Sequence, residues 1–309
     1  MPLGNDVKAI RLLIILIPLI YVSCGSPAGP SNEYYVKNRI AFSSDINGNL
    51  DLYTVKLDGT GLVRVTDCEK DDYDIASRPA WSPDGRHIAF TMSHASPQDG
   101  AGPLKAISFD LFYITPKGSH QKPLLTEFPI SSFCWNNNSE EINVLRSVIT
   151  PTKRFLDMFS LNIDNMEFNH LAELKDISYS LDSASSMDWS VNGELVFTWL
   201  SKIYLKVALE DTTSIELAEG LYPKWSPDGN KIVYVVDDQI WIMNRDGGEK
   251  ELLIQEGKHP DWSPDGQKIV FSGKNDNKYN ISYYNLMTGT IISVIDNGYN
   301  NIKPVFSPL

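Results

Sequence analysis

The segment PAWSPDGRHIAF, from Pro79 to Phe90, returns as PKWSPDGNKIVY from Pro223 and as PDWSPDGQKIVF from Pro260. Weaker copies are MDWSVNGELVF from Met187 and FCWNNNSEEINVL from Phe133, and a truncated one, PVFSPL, ends the chain. Self-similarity at periods of tens of residues marks a repeat architecture, in which each unit buries its apolar faces against its neighbours. The anchors Trp81, Trp135, Trp189, Trp225, Trp262 and Phe306 are spaced by 54, 54, 36, 37 and 44 residues. Three more strand-like runs accompany each anchor. The second reads IAF at Ile40 and Ile88, the third is aromatic, as in DLYTV from Asp51, and the fourth is short, as in VRVT from Val63. Pro-Asp-Gly between the first two runs is turn chemistry suited to a tight hairpin.

The series is displaced around its own circle. It opens with a second-type run at Ile40 and closes with a lone first-type run at Val305. A sheet lacking its first strand and an orphan last strand would both expose unpaired edges. Both edges vanish if the last strand completes the first sheet. The expected fold is therefore all-β: a six-bladed β-propeller of four-stranded antiparallel blades, closed by the C-terminal strand joining the N-terminal blade. It spans 36–309, about 46 residues per blade.

The WSPDG-x-x-IAF repeat followed by DLY and LT resembles the TolB-like propeller repeat of bacterial envelope proteins. It is also similar to the propeller domains of prolyl oligopeptidase-type peptidases. The resemblance covers nearly all of the chain after residue 36 and implies fold and compartment more than role. TolB itself carries an α/β domain ahead of its propeller, whereas the first strand here is expected soon after a short tether.

Lys8 and Arg11 precede an apolar stretch from Leu12 to Val22. Eleven residues are too few for a membrane-spanning helix, which takes about 20, but they suit a secretory signal. Tyr21-Val22-Ser23-Cys24 resembles the bacterial lipobox, with Tyr21 standing where that motif usually has an aliphatic residue. The resemblance implies a signal over 1–23, lipidation of Cys24, and a tether over 24–35, whose GSPAGPSNE is small, polar and proline-containing. The domain is expected to work outside the cytoplasm, anchored to a membrane.

With 27 Lys and Arg against 39 Asp and Glu, the net charge is −12, which argues against nucleic acid as a partner. Three cysteines exclude a disulfide-dense scaffold, and none are spaced for a zinc cluster. Cys68 and Cys134 are a conceivable pair in an oxidising compartment, although they occupy non-equivalent repeat positions. The sequence contains no G-x-S-x-G elbow, H-E-x-x-H helix or glycine-rich phosphate loop, so no catalytic residue, metal or cofactor is assigned. Asp45-Ile-Asn-Gly-Asn-Leu-Asp51 has alternating oxygen groups like a calcium loop, but Gly48 is one position early and a hairpin explains it equally.

The first strand of each blade should line the channel, and alternation sorts its residues. Pro79, Phe133, Met187, Pro223, Pro260 and Pro304 share the anchors' parity and should pack between blades. The other parity places Asp188, Lys224 and Asp261 toward the channel, and one step further out Arg78, Tyr222, His259 and Lys303. These last four are expected to form a cationic and aromatic channel mouth, with a solvated channel of no specific role as the alternative. Long connections at Thr66–Arg78, Met92–Ser108, Val148–Leu156 and Leu174–Ser186 should all leave on one face and mark a partner surface. The reading is a non-enzymatic envelope lipoprotein that binds a protein or polysaccharide partner through the long-loop face or the mouth. The alternative is a propeller lyase or hydrolase acting on acidic oligosaccharide in the channel.

Overall fold

A computed structural model describes residues 37–68, 74–94, 109–149, 154–176, 186–211 and 213–308. In these stretches there are 24 strands and no helix. Blade 1 holds β1 (Arg39–Ser44), β2 (Asp51–Lys56) and β3 (Val63–Arg64). Blade 2 is β4 (Asp74–Trp81), β5 (Ile88–His94), β6 (Phe109–Ile114) and β7 (Lys122–Leu125). Blade 3 is β8 (Ser132–Trp135), β9 (Glu141–Ile149), β10 (Arg154–Asn162) and β11 (Phe168–Asp176). Blade 4 is β12 (Met187–Trp189), β13 (Leu195–Trp199), β14 (Lys202–Lys206) and β15 (Ile215–Glu219). Blade 5 is β16 (Leu221–Trp225), β17 (Lys231–Val236), β18 (Gln239–Asn244) and β19 (Glu251–Ile254). Blade 6 is β20 (Lys258–Trp262), β21 (Lys268–Asn275), β22 (Lys278–Asn285) and β23 (Thr290–Ile295), and β24 (Asn301–Phe306) returns to blade 1.

The closing strand pairs antiparallel with β1, Ile40 opposite Phe306 and Ala41 opposite Val305. Buried Ser44 Oγ donates to Asn301 Oδ1 at 2.8 Å; where the two ends meet, the Arg39 amide donates to Ser307 Oγ at 3.0 Å and the Ser307 amide to the Arg39 carbonyl at 2.8 Å. The six-bladed ring with its C-terminal closure is thus as the repeat offset implies.

Six hydrophobic clusters fill the wedges between neighbouring blades. Ala41, Leu52 and Val65 of blade 1 meet Trp81, Ile88 and Phe90 of blade 2, and equivalent sets recur around the ring. The anchor tryptophans also reach back by hydrogen bonds: Trp135 Nε1 donates to the Ala80 carbonyl at 2.9 Å and Trp262 Nε1 to that of Lys224 at 3.2 Å. In the turns that give the motif its name, the serine serves both partners. Ser226 Oγ donates to Asp228 at 2.5 Å and accepts from the Lys231 amide at 2.9 Å, with Gly229 at φ +69° closing the turn. Ser82 and Ser263 do the same in blades 2 and 6.

Because strands alternate in direction, second-to-third and fourth-to-first connections share one face, here called the mouth face. Lys37 and Ser307 lie on the opposite face, where β1 begins and β24 ends. Of the four long connections expected from sequence, Val148–Leu156 is corrected. Its ends are strand, Arg154 pairing with Ile149, so only 150–153 connects β9 to β10. The β-branched and aromatic residues Val148, Ile149 and Phe155 extend the ladder at both ends of that connection. The other three contain 69–73, 95–108 and 177–185, which lie outside the described residues, as do 1–36 with Cys24.

Candidate functional site

Four inner strands share a local irregularity. In β4, β16, β20 and β24 the pairing register shifts, and Arg78, Tyr222, His259 and Lys303 take φ of +55°, +54°, +51° and +55°. The next residue explains this. Pro79, Pro223, Pro260 and Pro304 have no N–H to give the second strand, so the ladder breaks and a bulge forms. Where the equivalent residue is Phe133 or Met187 it stays in the ladder, opposite Val144 and Phe197. Left-handed backbone at a bulky residue is unfavourable, by about 1 kcal/mol or more each, and bulges re-aim side chains.

The four re-aimed side chains meet at the channel mouth. The Tyr222 and His259 rings have centroids 4.7 Å apart at 57°. Lys303 Nζ donates to Ser77 Oγ at 2.9 Å, from the closing strand of blade 1 to the inner strand of blade 2. Arg78 Nη1 donates to the Ser131 carbonyl at 2.7 Å, and its guanidinium lies 5.5 Å from the Phe109 ring centroid. Burial, then the charge on Arg78, lowers Lys303 from the ordinary lysine range to about 8. Burial, then Lys303, Lys258 and Arg78, lowers His259 to about 3, so its imidazole is neutral at neutral pH. Its Nδ1 is buried and lacks a hydrogen-bond partner among the described residues. Among the described residues, neither Arg78 nor Lys303 has a carboxylate within ion-pair distance.

One step deeper lies a second tier of different character. Lys224 Nζ is 3.1 Å from Asp188 Oδ1 and also feels Asp261, which holds it protonated despite burial. The carboxylates are tied to backbone. Asp188 Oδ2 accepts from the Trp225 amide at 2.8 Å, and Asp261 Oδ2 from the Phe306 amide at 2.9 Å, each joining one inner strand to the next. Burial raises Asp261 to about 6, with Lys224 opposing the rise. Cys134 completes this tier as a free, buried thiol whose pKa is raised by burial, so it does not pair with Cys68.

Sequence alternation identified both tiers but not the groups that hold them: Ser77, the Ser131 carbonyl and Phe109 are contributed from beside the motif, and only blade-to-blade adjacency reveals them. In the Asp45–Asp51 loop, protein donors take the side-chain oxygens. Asp51 accepts from Arg64 Nε and Nη2 at 3.0 and 2.6 Å, Thr66 Oγ1 at 2.8 Å and the Cys68 amide at 2.9 Å. Asp45 accepts from the amide and side chain of Asn300 at 2.7 and 2.8 Å. A calcium ion there would have to displace a guanidinium.

No family model matches the chain, and no curated protein matches it by sequence. Among solved structures it is similar to TolB from Acinetobacter baumannii, with a TM-score of 0.66 at 15% identity over 88% of this chain and 67% of that one. It is also similar to a TolB candidate from Agrobacterium tumefaciens, with a TM-score of 0.59 at 15% identity over 84% and 89%. The chain thus has the six-bladed propeller fold of these TolB structures.

Proposed function

We propose that this chain is a lipid-anchored, non-enzymatic binding module of the bacterial cell envelope. Its propeller receives an anionic group of a protein or polysaccharide partner at the channel mouth. The supporting observation is the convergence of Arg78, Tyr222, His259 and Lys303 on four left-handed bulges, the two cations without a counter-charge among the described residues. Strained backbone and cations whose charge is disfavoured by burial are locally unfavourable, a pattern that gathers where a fold has been shaped for a ligand. A carboxylate entering the mouth would offset that cost, with the Arg78 fork available for paired hydrogen bonds. The signal and lipobox resemblance of 1–24 supports an extracytoplasmic, membrane-anchored location.

A second reading is favoured by one observation, the neutral His259 beside Tyr222 and within the field of Arg78. An acidic oligosaccharide whose carboxylate offsets Lys303 and Arg78 would make the imidazole more basic, and an imidazole and a phenol so placed suit proton abstraction, the chemistry of a lyase.

The test is calorimetric titration of an acidic peptide and an acidic oligosaccharide into the wild type and an Arg78→Ala/His259→Ala variant. Affinity should fall at least about tenfold in the variant, the scale of losing one charge-assisted contact. Equal affinity for both proteins would remove the proposal. Appearance of an unsaturated sugar product with the wild type would establish the second reading instead.

A further inference from the structure

The outermost strands of the blades are sheet edges, and edges are normally guarded by charge. Five of the six follow this rule, with Arg64 in β3, Lys122 in β7, Glu173 in β11, Glu216 in β15 and Glu251 in β19. The sixth, β23, reads TIISVI. The whole run Asn285–Ile295 contains no charged residue. Met287 is 79% exposed, Ile291 55% and Ile292 42%. The neighbouring rim of blade 1 adds exposed Leu62 and Val63. These two rims are joined, because the blade 1 turn packs on β23 so closely that a Cβ on Gly59 would lie 2.6 Å from the Val294 carbonyl oxygen.

This apolar sector is also where the chain enters the propeller. Lys37 lies on the face opposite the mouth, in blade 1, and Lys37, Arg39 and Lys56 bring positive charge there against Asp58. Twelve residues separate Cys24 from Lys37, at most about 43 Å when extended. Elsewhere on that face the turns are rich in acids, among them Asp164, Glu167, Asp246 and Glu249, which an anionic bilayer would repel.

We infer that the rim of blades 6 and 1, centred on Met287, Ile291, Ile292, Leu62 and Val63, docks on the lipid bilayer beside the anchor. The propeller is tilted onto this rim, with the channel mouth turned away from the membrane. Apolar side chains flanked by basic residues have the chemistry of interfacial binding. The inference rests on the anchored reading given above.

The experiment uses the full chain, purified in processed form and reconstituted into vesicles of phosphatidylethanolamine and phosphatidylglycerol. Met287→Cys, Ile291→Cys, Val191→Cys and Tyr299→Cys variants each carry an environment-sensitive fluorophore. Val191 is an exposed residue of blade 4 on the same face, and Tyr299 is exposed on the mouth face. Brominated acyl chains should quench the probes at 287 and 291 at least about threefold more than those at 191 and 299, as expected for insertion at the interface. Equal quenching at all four sites, or a blue shift at 287 and 291 without quenching, would overturn the inference, the latter marking a protein partner such as a second copy. The mass of the N-terminal peptide separates the two readings. An unlipidated Cys24 overturns both, whereas a lipidated chain with unquenched probes overturns the docking alone.

Discussion

Replacing Lys303 with Met should make the protein more stable and a poorer binder, and both effects follow from one side chain. The ammonium is held at about 8 instead of 10.5. That difference corresponds to roughly 3 kcal/mol by which burial and Arg78 disfavour the charged form. Because the folded value lies below the unfolded one, the unfolded chain binds more protons between about pH 8 and 10.5, and stability rises with pH across that window. At pH 7 both states are charged and the penalty stands in full. Lys303→Met removes it while losing the 2.9 Å bond to Ser77, itself about 1 kcal/mol. With some solvation of the ammonium retained, the expected net gain is about 1–2 kcal/mol, a rise in Tm of roughly 2–5 °C. Anion affinity at pH 7 should fall about 10- to 100-fold, the worth of one charge-assisted hydrogen bond. In the wild type, affinity should decline as pH rises through 8, by at most about tenfold per unit, and in the variant this decline should be absent. Scanning calorimetry and titration calorimetry between pH 6.5 and 9.5 read both quantities. A variant that melts lower and binds with unchanged pH dependence would show that Lys303 serves packing and not an anion.

Other expectations are equally direct. His259 is held near 3, so the stability present above its ordinary value of 6.5 is lost as pH falls toward 3. A His259→Phe variant should have a pH slope of stability between 6 and 4 that is shallower by up to about 1.4 kcal/mol per unit in urea unfolding, and parallel slopes would contradict this. Asp261→Ala strands the Phe306 amide in the closing strand and leaves Lys224 with Asp188 alone. It should cost about 2–4 kcal/mol in denaturant titration, and Asp261→Asn clearly less, whereas equal losses would argue against the carboxylate as a strand clasp. Cys134 is buried with a raised pKa, so a thiol reagent at pH 8 should modify the native protein at least about a thousandfold more slowly than the unfolded chain; rapid labelling would show an open channel floor.

Much of this architecture was legible because the repeat states its own geometry. The Trp anchors fix the inner strand of each blade, the offset between Ile40 and Val305 predicts closure, and period-two alternation separates Pro79 and Pro223 from Arg78 and Tyr222. Four things were not legible, each for a physical reason. The bulges depend on which hydrogen bond a proline fails to make, and that needs the partner strand. The holding groups of the mouth come from distant chain: Lys303 and Ser77 are 226 residues apart, joined only by the closure. Asp188 and Asp261 read as channel ligands in sequence, yet each also receives a backbone amide from the next blade. The long connection expected over Val148–Leu156 proved to be mostly strand, because its ends extend a ladder already formed by β9 and β10.

The closure also fixes an order of events in the life of the chain. Arg39 and Ser307 bond across 268 positions, and β1 has no inner neighbour until Asn301–Phe306 arrives. The ring therefore stays open until Asn301–Phe306 has been made, and that strand locks the first blade. Contacts of such separation form slowly. Premature stop codons near the end would release open rings with one bare edge, the species a quality-control protease should meet first.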